Sequence, residues 1–324
     1  MPFTDLVLEE LREYRPEVAE PTDFDDFWSL TIAESRSIGG AVTMTVADTP
    51  ITEIEINDLV FPGFGGEPVR AWLSRPRGAS GALPVVIEFI GYNGGRGLPG
   101  ERLQWAASGY LHVLMDTRGQ GSGWGTGGDT PDPHGSGPAG AGFMTRGIAH
   151  QDTYYYRRLF TDAVRLVDAV TEMEFADSSR IAVTGGSQGG AIALAAAALH
   201  PAVVAVMPDV PFLCHFRRSV SITPLDPFTE VARYLSVHRD KVDRVFETLG
   251  YFDGVNFARR IHAAALFSVA LMDEVVMPSS VFAAYNHLAT DDADIEIYSF
   301  NGHEGGATHQ WLRQARWLAT RFGS

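Results

Sequence analysis

The stretch RIAVTGGSQGGAIALAAAALH, residues 180 to 200, sets one serine among four glycines, after a short apolar run and before an alanine-rich one. RIAVTG has the length and β-branched content of a buried strand, and residues 188 to 199 read as a helix. Between them Gly185, Ser187 and Gly189 satisfy the pattern G-x-S-x-G. A sharp strand-to-helix turn needs small neighbours, and it exposes the serine hydroxyl in a strained conformation suited to nucleophilic attack. The following amide, that of Gln188, then lies at a helix N-terminus and faces any oxyanion that develops. A glycine-bounded turn with an inert serine is the plainer reading of the same residues.

Working outward, two more apolar runs, LPVVIEFI (83 to 90) and YLHVLMD (110 to 116), flank a helical pattern in GERLQWAAS. A helical stretch over 153 to 174 leads into RIAVTG. Beyond the serine come VVAVMPDV, ALFSVALMD and IEIYSF, separated by helical segments that include 279 to 290, with a last helix near 307 to 322. This alternation predicts a mostly parallel sheet with helices on both faces. Alternating segments between 41 and 74 add antiparallel strands at its start. Two amphipathic helices, 5 to 14 and 23 to 37, form an N-terminal extension within residues 1–40 that packs across the main body. Phe3, Phe24 and Trp28 could cover a neighbouring subunit, although packing on their own chain is the more common fate of such residues. Residues 212–262 hold three expected helices in a single connection, an insertion of the kind that roofs a site. The run GTGGDTPDPHGSGPAGAG has no periodicity and is either a linker or an ordered loop. A domain break there would cut the sheet, so residues 1–324 are expected to form one unit.

The 324 residues are 45% hydrophobic and 20% charged, enough for a large core. A formal charge of −15 repels phosphate backbones and anionic headgroups, which argues against nucleic-acid and membrane partners. The first residues lack the basic-then-apolar layout of a signal peptide, and no apolar run reaches spanning length. A cytoplasmic protein is expected. The single cysteine, Cys214, fits a reducing compartment and reads as a buried thiol.

A serine needs a base, and the base needs an orienting carboxylate. Among ten histidines, His303 in YSFNGHEGG lies just past the last expected strand on a glycine-bounded loop. His309 is its nearest rival, inside the helix that follows. Asp273 ends the preceding strand, which gives the chain order Ser, Asp, His. Asp292 and Asp294 compete for that role but precede a strand, at the opposite edge. In FIGYNGGRG the Tyr92 amide is the natural second oxyanion donor. The histidines show no metal-ligand spacing, and no cofactor is expected.

The segments DTRGQGSGWG, GGSQGG and NGHEGG, in that order, resemble the signatures of the acetyl xylan esterase and cephalosporin C deacetylase group, carbohydrate esterase family 7. GYNGG, DVPFLCHFRR and YFDGVNFA also look like family segments, so the resemblance runs over nearly the whole chain. It implies an α/β-hydrolase fold, Ser187, Asp273 and His303 as catalytic triad, and the Tyr92 and Gln188 amides as oxyanion hole. The family's Arg-Gly-Gln signature falls on Arg118, Gly119 and Gln120, which are expected to hold loops beside the site. It further implies small acetylated carbohydrates and cephalosporin C as substrates and a homo-hexamer as the assembly. After Asp273 this chain reads EVVMPSS where the family has a Cys-Pro-Pro run. Two other functions share the same residues: a serine peptidase of prolyl-oligopeptidase type, and a non-enzymatic binding protein on the same fold.

Overall fold

Period-two alternation in the central strands sends successive side chains to two separate apolar layers. Val85, Ile87 and Phe89 enter one layer with Ile181, Val183, Phe267 and Val269. Val86, Ala182, Ala205, Met207 and Leu266 enter the other, under Trp317, Leu318 and Phe322. A strand buried on both faces has to be covered twice, and helices do so here.

The computed structural model describes residues 5–135 and 137–323. Its strands are β1 (Thr43–Val46), β2 (Ile54–Pro62), β3 (Pro68–Pro76), β4 (Leu83–Phe89), β5 (Leu111–Met115), β6 (Ala176–Gly186), β7 (Val203–Asp209), β8 (Ala264–Ala270) and β9 (Ala293–Tyr298). They form one sheet in the order β1-β2-β3-β5-β4-β6-β7-β8-β9. Pairing is antiparallel from β1 through β3 to β5 and parallel from β5 to β9. The helices are α1 (Leu8–Glu13), α2 (Phe24–Ile38), α3 (Gln104–Ala107), α4 (Tyr155–Thr171), α5 (Gln188–Leu199), α6 (Phe216–Ile222), α7 (Phe228–Val237), α8 (Val242–Gly250), α9 (Gly254–Ala258), α10 (Pro278–Tyr285) and α11 (Ala307–Phe322). The mostly parallel sheet flanked by helices is the architecture expected from the sequence. No helix among the described residues is long and apolar enough to cross a membrane.

Several boundaries differ from the periodicity. The helix expected in GERLQWAAS shrinks to the single turn of α3, because Gly100 and Gly109 take φ of 98° and 95°, outside right-handed helical space. The insertion between β7 and β8 holds four α-helices rather than three. The extra one, α9, is nucleated by Asp253, whose carboxylate accepts the Val255 amide as an N-cap and also the His215 and Phe216 amides that open α6. Burial pushes the Asp253 carboxyl up to about 6 against the pull of those three amides.

Of the two fates open to Phe24 and Trp28, packing on their own chain is the one observed. Both are buried within their own chain: Trp28 Nε1 donates to the Tyr251 carbonyl at 2.9 Å, and its ring meets Phe252 and Phe257. Phe24 meets Phe257 edge-on. Aromatic area of this kind is stabilising when desolvated, and α9 supplies the cover. Phe3 lies outside the described residues. Among its described residues the glycine-rich span after β5 forms a loop, tied to the end of β5 by the Asp129 and Thr130 amides, which donate to Asp116.

Candidate active site

Ser187 stands between β6 and α5 with φ 56° and ψ −118°, a conformation costly for a residue with a Cβ. The turn is tight enough that a methyl group on Gly185 would lie 2.5 Å from the Gly189 carbonyl carbon, and one on Gly189 would lie 2.3 Å from the Phe89 oxygen. The flanking glycines of G-x-S-x-G are therefore required by close backbone approach. The strained turn is held from both sides: Ser187 N–H donates to the Asp209 carbonyl at 2.9 Å, and Phe212 N–H donates to the Ser187 carbonyl at 3.0 Å.

His303 comes from the loop between β9 and α11. Its Nε2 lies 3.0 Å from Ser187 Oγ and its Nδ1 2.8 Å from Asp273 Oδ2. Glu304 shapes that loop by accepting from the Gly302 amide and the Asn301 side chain. Asp273, just past β8, is fully buried, and its other oxygen accepts the Val275 and Val276 amides at 2.8 and 2.9 Å. The rival carboxylates are engaged elsewhere, Asp292 with Arg321 and Asp294 with Arg313. His309 lies in α11.

Tyr92, Ser187 and His303 line one cleft of about 670 Å³, with Phe89, Trp124 and Glu230. A groove of about 810 Å³ between residues 14–21 and helices α6 and α8 contains none of these residues. The buried Gln188 side chain exchanges hydrogen bonds with Gln120, at 2.9 and 3.2 Å, and Gln120 Oε1 also accepts the Asn93 amide at 2.7 Å. The segment carrying Tyr92 and the segment carrying Ser187 are thereby tied together. Arg118 is fully buried and forks onto Asp162 at 2.5 and 2.7 Å, with Glu67 at 2.6 Å. Gly119, at φ 68°, donates to the Thr130 carbonyl. Of the eight residues singled out from the sequence, Tyr92, Ser187 and His303 line the cleft, Asp273 bonds to His303 and Gln120 to Gln188 behind it, and Arg118 and Gly119 make their contacts with Asp162, Glu67 and Thr130 outside its lining.

Three cleft residues escaped the sequence reading. Trp124, half-exposed, donates its indole N–H to the Tyr92 carbonyl at 2.6 Å. Its signal was its size, as the one large side chain in GQGSGWG. Asp209 ends β7 and accepts from Gln310 and Gln314 of α11; burial pushes its carboxyl up to about 7. Glu230, on α7, accepts the Tyr92 hydroxyl at 2.7 Å, and burial raises its pKa above the usual carboxylate range. Nothing local in α7 announces that contact, since the partners are 138 residues apart. Among the described residues no group of three or more His, Cys, Asp or Glu could hold a metal ion.

A serine, a histidine and a buried aspartate in hydrogen-bonded series, on a mostly parallel sheet, are the parts of an acyl-transfer site. The family model described as acetyl xylan esterase (AXE1) matches residues 1–321. The chain belongs to the acetyl xylan esterase family. Membership marks it as a carboxylic ester hydrolase, on an α/β-hydrolase-like fold. An acetyl xylan esterase from Paenibacillus sp. R4 is 40% identical, with a TM-score of 0.91 over 97% of this chain and 99% of that one. Acetyl xylan esterase 1 from Thermoanaerobacterium sp. JW/SL YS485 is 33% identical, with a TM-score of 0.89 over 97% of this chain and 98% of that one. An acetyl esterase of Xylanibacter ruminicola is 26% identical over 311 residues; the match covers 89% of this chain but only 65% of that relative's length.

Proposed function

We propose that the protein removes acetyl groups from acetylated xylo-oligosaccharides and related small acetyl esters, cephalosporin C among them, through an acetyl-serine intermediate. The observation that carries this reading is His303, within hydrogen-bond reach of Ser187 on one side and Asp273 on the other. His303 takes the Ser187 proton as the oxygen attacks the acetyl carbonyl, and Asp273 orients the imidazole and stabilises its charged form. The Tyr92 and Gln188 amides hold the oxyanion, the latter aided by the N-terminus of α5. The imidazolium then protonates the leaving sugar alcohol, and water, activated by the same histidine, releases acetate.

A peptidase would use the same three residues, so family membership is what favours the ester. The deciding experiment compares kcat/KM for p-nitrophenyl acetate, acetylated xylo-oligosaccharides, cephalosporin C and a peptide anilide, for the native chain and Ser187→Ala. Ester turnover that vanishes in the variant supports the reading. Preference for the anilide, or ester turnover that survives in the variant, removes it. The reading extends to a cytoplasmic enzyme, which the single, buried, unpaired cysteine favours, and to a hexamer, which the family resemblance implies. A solution mass near six chains in light scattering supports that assembly; the mass of one chain at micromolar concentration removes it.

A further inference from the structure

The proposed oxyanion donor is anchored at three points, and one of them comes from the helical insertion. Along the backbone, the Tyr92 carbonyl accepts Trp124 Nε1, and the next amide, Asn93, donates to Gln120 at a φ of 64°. At the far end of the side chain, the Tyr92 hydroxyl donates to Glu230 Oε1 at 2.7 Å and accepts the Phe143 amide at 2.5 Å. Glu230 Oε2 accepts the Met144 amide at 3.1 Å, which closes a ring of hydrogen bonds.

This ring is a built feature rather than a chance surface contact. Glu230 is buried. An isolated buried carboxylate is costly, and here both oxygens are satisfied by donors. The approach also demands a particular neighbour: Gly142 sits at φ 88°, and a methyl group there would lie 2.1 Å from Glu230 Oε1. The Tyr92 ring packs edge-on against Phe143 and Phe212, so its hydroxyl end is fixed in direction as well as in distance. Displacing a reacting or stabilising group by ~1 Å can cost ~10²-fold in rate.

We propose that Glu230 is a positioning residue for the reaction: through the Tyr92 hydroxyl it fixes the Tyr92 amide where the oxyanion forms, and so makes the α6 to α9 insertion part of the catalytic apparatus. This rests on the acyl-transfer reading above. Glu230 touches no reacting atom in it, so its effect belongs in kcat rather than KM, and in affinity for tetrahedral adducts rather than for ground-state ligands.

The test uses the full chain with Glu230→Gln, Tyr92→Phe and the double variant. Gln offers one acceptor oxygen where two are used, and Phe keeps the ring and the amide but removes the hydroxyl. Each single variant is expected to lose about tenfold in kcat with KM little changed, and about tenfold in affinity for a small alkylboronic acid that forms a tetrahedral adduct with serine. Because both substitutions break one link, the double variant should lose little more than either alone. Unchanged kcat in both single variants, or losses that multiply in the double variant, overturns the proposal. A fall in kcat with unchanged boronate affinity overturns it too, by separating Glu230 from the oxyanion. Failure of the underlying reading shows separately, as ester turnover that survives Ser187→Ala.

Discussion

His303 Nε2 and Ser187 Oγ stand 3.0 Å apart although 116 residues separate them in the chain. Their meeting depends on β6 and β9 ending at the same edge of one parallel sheet, with β7 and β8 between them. Ser187→Ala should therefore remove esterase activity by several orders of magnitude and leave the fold intact, because the serine Oγ sits at the mouth of the turn and carries little packing. Kinetics beside a thermal melt check both halves. A serine-directed organophosphate should label Ser187, and labelling of any other residue contradicts the assignment.

Asp273→Asn isolates the tautomer. The Val275 and Val276 amides both donate to Oδ1, so that atom must remain an acceptor. The new NH₂ group then has to face His303 Nδ1, which favours the imidazole tautomer with its hydrogen on Nε2, the wrong one for taking the serine proton. A loss of roughly 10⁴ in kcat is expected. A loss under tenfold would mean that another carboxylate orients the histidine.

The site could be read from the sequence wherever one residue's chemistry demanded a partner at the same sheet edge. Ser187 required a base and a carboxylate, and strand order limited the choice to His303 and Asp273. The limits of that reasoning show at Glu230 and Phe24. Glu230 matters through a contact made across the cleft, which neither helical periodicity nor turn chemistry encodes. Phe24 and Trp28 leave two covers open in the sequence, their own chain or a neighbouring subunit, because amphipathicity tells which face is apolar but not which apolar surface covers it. The fourth insertion helix was hidden for a related reason: five residues started by one aspartate carry too little periodic signal.

Acyl length should be discriminated near Val275, which lines the cleft within the EVVMPSS segment, ahead of α10. Hydrolysis is expected to fall steeply from acetyl to butyryl esters, since each methylene that cannot be accommodated costs about 1–3 kcal/mol by overpacking. A p-nitrophenyl ester series measures this. Equal kcat/KM for acetyl and octanoyl esters would indicate an open, lipase-like groove.

Arg118→Met tests the buried fork. It leaves the fully buried Asp162 carboxylate with the Phe64 amide as its remaining partner among those described and should destabilise the chain by about 3–5 kcal/mol. Adding Asp162→Asn should recover part of that loss, because the uncompensated charge is then gone. Urea midpoints of the single and double variants measure it. No recovery in the double variant would mean that packing of the arginine stem, rather than charge, supports the loop.

Asp209 gives stability a pH dependence with a definite sign. Burial raises its carboxyl in the folded chain to about 7, from a usual value of 3.8, against the pull of the Gln310 and Gln314 amides. Between those two values the folded chain holds a proton that the unfolded chain has released, so stability falls as pH rises through the window and levels off above it. Asn at this position keeps an oxygen for the two glutamines and never ionises. Asp209→Asn should therefore gain on the native chain as pH rises from 5 to 8.5, by on the order of a few kcal/mol. Urea unfolding at the two pH values measures the gap. A gap that stays constant, or narrows toward alkaline pH, means that the carboxylate is accommodated in its charged form beneath the nucleophile turn.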